Sequence, residues 1–232
     1  MAILLLLLYL VLVTSPLYTL LLTAPYTDHT MSYELGKAFA LMGLVILSLQ
    51  FFLSSRQKWA ERYYGLDMIF SFHKGMAVLA GILILSHPVL LAIGSGNFKL
   101  LFSFDLPWYI LLGKLGLLLI LAQIIVSGYR KAFKLKFEHW RPIHNVIGGV
   151  LLLGIYVHSL TAAAHGDLGQ TSMRVLWGGF FVIALGSYTY HKLYMPARRK
   201  KHAYIVDGVH EDANGVNTLV LKPPKGKKRF NY

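Results

Sequence analysis

Long apolar runs dominate the chain, and six of them reach the length of about 20 residues that a helix needs to cross a bilayer. They run from Ala2 to Thr23, Tyr33 to Leu53, Met68 to Ile93, Pro107 to Gly128, Pro142 to Ala164 and Met173 to Tyr194. Backbone polar groups in lipid must be satisfied within the segment, so all six runs are predicted to be helices. The first run lacks a preceding basic segment, and we interpret it as a retained span rather than a signal peptide.

The C-terminal tail has a different pattern. The segments "AYIVDGV" and "NTLVLKP" are typical of strands, and Asn214-Gly215 between them is a turn signal. The predicted fold class is therefore an all-α membrane protein, a six-transmembrane-helix bundle followed by a short C-terminal β-strand segment. We expect the bundle in residues 1–200 and the strands in residues 201–232.

Composition agrees with a membrane protein. Hydrophobic residues make up 56% of the 232 residues and charged residues only 14%, whereas soluble domains carry about 25% charged residues. The expected surroundings are a lipid bilayer. The chain has no cysteine, which excludes disulfides, iron–sulfur clusters, thiolate zinc sites and covalently attached c-type haem.

The net charge of +13 is concentrated in alternate connections between the spans. Basic residues cluster between spans two and three, between spans four and five, and after span six. By the positive-inside rule these connections and both termini are predicted to be cytoplasmic. Membrane orientation thus accounts for the charge, and we expect no nucleic-acid partner.

Four histidines lie inside predicted spans: His73 and His87 on the third, His144 and His158 on the fifth. Each pair is 14 residues apart, which returns to nearly the same helix face, about 40° away, after a rise of about 21 Å. The two spans run in the same direction, so His73 can face His144 at one depth and His87 can face His158 at another. Two opposed imidazoles at each depth fit bis-histidine haem b.

Other residues fit the same hypothesis. Small residues on both helices would let a flat macrocycle approach the backbone: Gly75, Ala77, Ala80, Gly81, Gly148, Gly149 and Gly154. Lys74 and Arg141 are candidates to meet the propionates of the inner haem. Gln50 in the second span is expected to hydrogen-bond to another helix. Histidines that pack helices or relay protons remain the alternative for the four sites.

Three features of the sequence carry a family resemblance: "FHKGMAVLAGILILSHP" in the third span, "HWRPIHNVIGGVLLLGIYVHS" in the fifth, and a basic stop before the strands. In these features the chain resembles the ferric reductase and NADPH oxidase superfamily, in a bacterial-type form. The resemblance implies two b haems, with His73 and His144 as axial ligands of the cytoplasmic one and His87 and His158 of the outer one.

The resemblance also implies an activity. In this family NAD(P)H reduces FAD on the cytoplasmic side, and electrons cross the membrane to an outer acceptor such as ferric iron or oxygen. The tail would be the opening of the flavin-binding barrel, so the expectation is an oxidoreductase whose flavin and nicotinamide sites lie outside these residues. A flavin/nicotinamide domain, in cis or in trans, is the expected partner, and a bacterial inner or plasma membrane the expected location.

Two other functions stay open. A quinol-linked dihaem cytochrome b also carries paired histidines at this spacing, although it needs no flavin barrel. A haem-free proton-coupled transporter would use intramembrane histidines for protons, although no inverted repeat is visible.

Overall fold

The computed structural model describes residues 2–23, 29–55, 58–165, 171–200, 204–212 and 215–223. The helices are α1 (Ala2–Thr23), α2 (Met31–Leu53), α3 (Lys58–Tyr64), α4 (Leu66–Ser95), α5 (Lys99–Phe102), α6 (Trp108–Gly128), α7 (Phe137–Ala164), α8 (Thr171–Thr189) and α9 (Met195–Lys200). A π-helical turn, Tyr190–Tyr194, joins α8 to α9, and two strands follow, β1 (Ile205–Glu211) and β2 (Asn217–Lys222). The chain divides into two compact units, Met1–Ser187 and Tyr188–Tyr232.

Five of the described helices are long and apolar enough to cross a membrane: α1, α2, α4, α6 and α7. They coincide with the first five predicted spans. The sixth predicted span corresponds to α8 and the π-helical turn, which are not among the five, so the count of six stays a prediction. Helix α7 begins at Phe137, five residues before the predicted start, so Pro142 lies inside the helix, in its second turn.

Helices α2 and α4 form the most closely packed pair in the first unit. Glycines on α2 permit this approach: a Cβ built on Gly43 would lie 2.5 Å from Cγ1 of Ile84, and one on Gly36 would lie 3.2 Å from the carbonyl oxygen of His87. Val45 and Ile46 of α2 are fully buried. Helix α6 packs against both α4 and α7 and so connects the two helices that carry the histidines.

The outward faces of the helices suit lipid rather than water. On α1, Ile3 is 74% exposed, Leu21 82% and Leu22 84%. A continuous apolar surface of this kind would be unusual on a soluble monomer. These faces and the five apolar helices indicate a multi-pass integral membrane protein.

At one end of the bundle, a hydrogen bond joins the start of α2 to the end of α4. The hydroxyl of Thr30, which caps α2, donates to the carbonyl oxygen of Gly94 at 3.0 Å. Helix α4 ends here at Ser95 and is capped by Gly96, which has a positive φ of 66°. We call this end, where α2 and α6 begin and α4 and α7 end, the outer end, after the orientation that the charges predict.

The second unit contains an antiparallel hairpin. Ile205 pairs with Lys222 and Glu211 with Asn217, with an irregularity between Val206 and Gly208. The two predicted strands are therefore confirmed. Gly215 has the positive φ of 73° that a turn glycine allows, while Asn214 lies outside the described residues.

Candidate functional site

The four intramembrane histidines lie at two levels of the bundle. His73 and His144 are each seven residues after the first residue of α4 and α7, respectively, which places both near the inner end. His87 and His158 lie about two turns before the last residues of the same helices. The spacing that suggested two depths is thus preserved in the helices.

At the outer level, both imidazoles are held by backbone carbonyl groups of neighbouring helices. Nδ1 of His87 lies 3.0 Å from the carbonyl oxygen of Gly36 on α2. Nδ1 of His158 lies 2.7 Å from the carbonyl oxygen of Tyr109 on α6. Gly36 and Tyr109 are both in the first two turns of their helices, so these contacts lie at one depth.

These contacts fix the tautomer of the neutral rings. A carbonyl oxygen can only accept, so Nδ1 donates its proton to it, and in the neutral imidazole Nε2 then keeps its lone pair. A neutral imidazole with this arrangement is the form that binds metal, and a hydrogen bond at the other nitrogen is the usual means of orienting it.

The ring of His158 also lies directly against the backbone of α6. A Cβ built on Gly113 would come within 2.5 Å of Cε1 and 2.9 Å of Nε2 of this imidazole. Only glycine leaves room for the ring at this position. Tyr109 and Gly113, one turn apart on α6, together form the support of His158.

Helices α4 and α7, which carry the outer imidazoles, both pack against α6. The predicted pairing of His87 with His158 is compatible with this arrangement.

At the inner level, a glutamine side chain holds His144. Oε1 of Gln123 lies 3.2 Å from Nδ1 of His144, and Nε2 of Gln123 donates to the backbone carbonyl of the same histidine at 3.0 Å. Oγ of Ser127 lies 3.4 Å from the same Nδ1. Trp140 stacks on the ring from one turn earlier, with centroids 4.9 Å apart. A cavity of about 200 Å³ adjoins this histidine between α6 and α7.

His73 is half-buried on α4. The residue before it, Phe72, packs edge-on against Tyr9 of α1, with centroids 5.0 Å apart. The part of α4 that carries His73 therefore packs against the first span, a neighbour that the sequence analysis did not anticipate.

The two predicted cationic site residues lie at the inner ends of the same helices. Lys74 is exposed beside His73, and Arg141 is exposed three residues before His144, with Cζ 5.7 Å from the ring centre of Phe137. The structure brings neither to a histidine, and their role at propionates stays a prediction. Lys37 on α2, toward the outer end, is buried and pairs with Glu34 at 2.8 Å.

Several functional candidates on α6 were missed in the sequence. Gln123 and Lys114 are polar residues in an apolar span, and this signal was available. Nζ of Lys114 donates to the carbonyl oxygens of Leu101 at 3.3 Å and Ser103 at 2.6 Å, which ties the connection around α5 to α6. Tyr109 contributes its backbone carbonyl, so its side chain gives no indication of this role in the sequence.

The donor set fits bis-histidine haem. Three of the four imidazoles have Nδ1 beside an oxygen acceptor, and such an arrangement leaves Nε2 for iron. Residues 39–155, half of the chain, match the family described as ferric reductase like transmembrane component. This range includes His73, His87 and His144, and His158 follows it by three residues. No curated protein matches the chain.

Proposed function

Because the chain belongs to the ferric reductase-like transmembrane family, we propose that it conducts electrons across a membrane through two b-type haems. Family membership makes it an oxidoreductase component concerned with transmembrane electron transfer in general. The observation that carries the finer proposal is the orientation of His87, His144 and His158 by oxygen acceptors at Nδ1.

The histidines divide into two ligand pairs. His87 and His158 would hold the outer haem, and His73 and His144 the inner one. Haem iron, when bound, supplies one-electron redox chemistry. The residues of this chain bind and orient the ligands, and the apolar side chains around them exclude water and insulate the path.

The inner ends of α4 and α7 supply positive charge. Lys74 and Arg141 are exposed there, at the level where anionic propionates of an inner haem would emerge. Nearby cations stabilise the added electron, so they favour the reduced state.

The proposed electron source is a cytoplasmic FAD/NAD(P)H module, in cis or in trans, and the proposed acceptor is ferric iron or oxygen on the outer side. The β1–β2 hairpin, in the predicted domain of residues 201–232, would be the opening of the flavin-binding barrel. Both termini would be cytoplasmic, in a bacterial inner or plasma membrane.

The test is a dithionite-reduced minus oxidised absorption spectrum of the purified chain, with haem quantified per polypeptide. We expect a b-type spectrum with two haems per chain, and one haem in each of the variants His73→Leu and His87→Leu. His139→Leu is the matched control, since this histidine is exposed at the inner end of α7 and belongs to neither pair. A folded, haem-supplied preparation without haem would overturn the proposal and favour the haem-free transporter.

A further inference from the structure

Helices α2 and α4 face each other through two series of residues with a spacing of seven. On α2 the series is Gly36, Gly43 and Gln50, and on α4 it is His87, Ala80 and His73. The helices are antiparallel neighbours, and two of the three levels are seen in contact. A Cβ on Gly36 would lie 3.2 Å from the carbonyl oxygen of His87, and one on Gly43 would lie 3.6 Å from that of Ala80.

Continuing this register by one more heptad places Gln50 at the level of His73. A seven-residue step returns to nearly the same helix face, so both residues remain on the faces that pack together. The inner ligand of α4 and the only glutamine among the described residues of α2 thus occupy matching positions in the two series.

The side-chain amide of Gln50 is buried and lacks hydrogen bonds within the described residues. The residue is only 6% exposed, and neither amide atom has a hydrogen-bond partner within the described part of the chain. The interhelical hydrogen bond expected from the sequence is therefore not formed here. A buried polar group without a hydrogen bond destabilises the protein and calls for an explanation.

Gln123 provides an example of a side-chain amide that orients a histidine at the inner level. It engages His144 through both of its atoms, one at the ring and one at the backbone. The amide oxygen at Nδ1 is the same kind of acceptor as the carbonyl groups that hold the outer histidines.

We propose that Gln50 and Gln123 are a pair of positioning residues for the inner haem, with Oε1 of Gln50 accepting from Nδ1 of His73 in the haem-bound protein. This inference rests on the proposed function. At the outer level the acceptors are backbone carbonyls, whereas at the inner level they are side chains. Substitution of Gln50 or Gln123 would therefore change the midpoint potential of the inner haem. The midpoint potential of the outer haem would stay the same.

The test is an optical redox titration of the full chain in nanodiscs, comparing wild type with Gln50→Leu and Gln123→Leu. Loss of an acceptor makes the imidazole a weaker donor to iron, so we expect the midpoint of one haem to rise in both variants. The affected haem should be the one that is missing in His73→Leu. Ser48→Ala is the control, because this buried serine bonds only to Leu44 of its own helix among the described contacts, and both of its midpoints should equal those of wild type.

Glutamate variants cover the case in which leucine removes the inner haem altogether. A carboxyl oxygen accepts the same hydrogen bond, so Gln50→Glu and Gln123→Glu should retain two haems, with the inner midpoint at or below the wild-type value. Two unchanged midpoints in the leucine variants, or a shift confined to the outer haem, would overturn this inference while leaving the two-haem function intact. A wild-type chain without haem would instead overturn the function itself.

Discussion

The two histidine levels use different parts of the protein for the same task. At the outer level, backbone carbonyls of Gly36 and Tyr109 orient His87 and His158. At the inner level, the side chain of Gln123 orients His144. A backbone carbonyl is present whatever the residue, so the hydrogen bonds of the outer level do not depend on side chains at positions 36 and 109. The hydrogen bond of the inner level, in contrast, is made by the side chain of Gln123.

The largest effect is expected from double variants that test the pairing of the levels. His87→Leu/His158→Leu should retain one haem, because both substitutions fall in the outer pair. His87→Leu/His144→Leu should retain none, because each pair loses one axial ligand. Haem per polypeptide, measured after purification with added haem, checks both. Equal haem content in the two double variants would contradict the pairing.

The next largest effect is expected at Gly113, where a substitution should alter the outer level and leave the inner level unchanged. Gly113→Ala forces a methyl group against the ring of His158, with a packing cost of about 1–3 kcal/mol, and should displace the outer ligand. We expect loss or a changed midpoint of the outer haem alone, measured by redox titration.

Gly116→Ala is the matched control on the same helix. Its added Cβ would lie 3.4 Å from Cγ1 of Ile155, a tolerable contact, and alanine favours the helix by about 1 kcal/mol over glycine. If Gly116→Ala alters the outer haem as much as Gly113→Ala does, then contact with His158 is not the cause.

A smaller effect is expected from Lys114, which ties the α5 connection to the outer part of α6. Lys114→Met removes two charge-assisted hydrogen bonds and should lower the free energy of unfolding by about 2 kcal/mol. The measurement is thermal unfolding in detergent, with two haems still bound at low temperature. Lys99→Met, an exposed lysine of the same connection, should leave the unfolding temperature unchanged.

The smallest effect is expected at Tyr109. Tyr109→Leu removes the ring that stacks on His165, with centroids 4.9 Å apart, but keeps the carbonyl that holds His158. Both haem midpoints should therefore match those of wild type in a redox titration. A shift of the outer midpoint as large as that caused by Gly113→Ala would show that the side chain of Tyr109, not its backbone carbonyl, orients His158.

The sequence allowed the main helices and the histidine levels to be predicted, because both follow from simple periodicities. Apolar runs marked α1, α2, α4, α6 and α7, and the spacing of 14 residues placed two histidines on one face of α4 and two on one face of α7. The strands of the hairpin were also visible as β-branched segments.

The supports of the histidines were not predicted, because they depend on which helices become neighbours. Nothing in the run around Gly113 indicates that an imidazole from a later helix will lie against it. Nor does the sequence indicate that the backbone carbonyl groups of Gly36 and Tyr109 will accept hydrogen bonds from histidines. The sequence predicted that Lys74 and Arg141 lie near the inner ends of their helices, because each is close to a histidine in the chain. It did not predict which residues they contact.

The matched heptads of α2 and α4 limit how the length of this region can change. One residue inserted between His73 and His87 would turn one histidine by about 100° relative to the other and break the register with Gly36 and Gln50. An insertion of seven residues would keep His73 and His87 on one face of the helix but increase the distance between the two levels by about 10 Å. Relatives that conserve this site should therefore show no single-residue insertions or deletions in that segment, while the connection around α5 can vary in length.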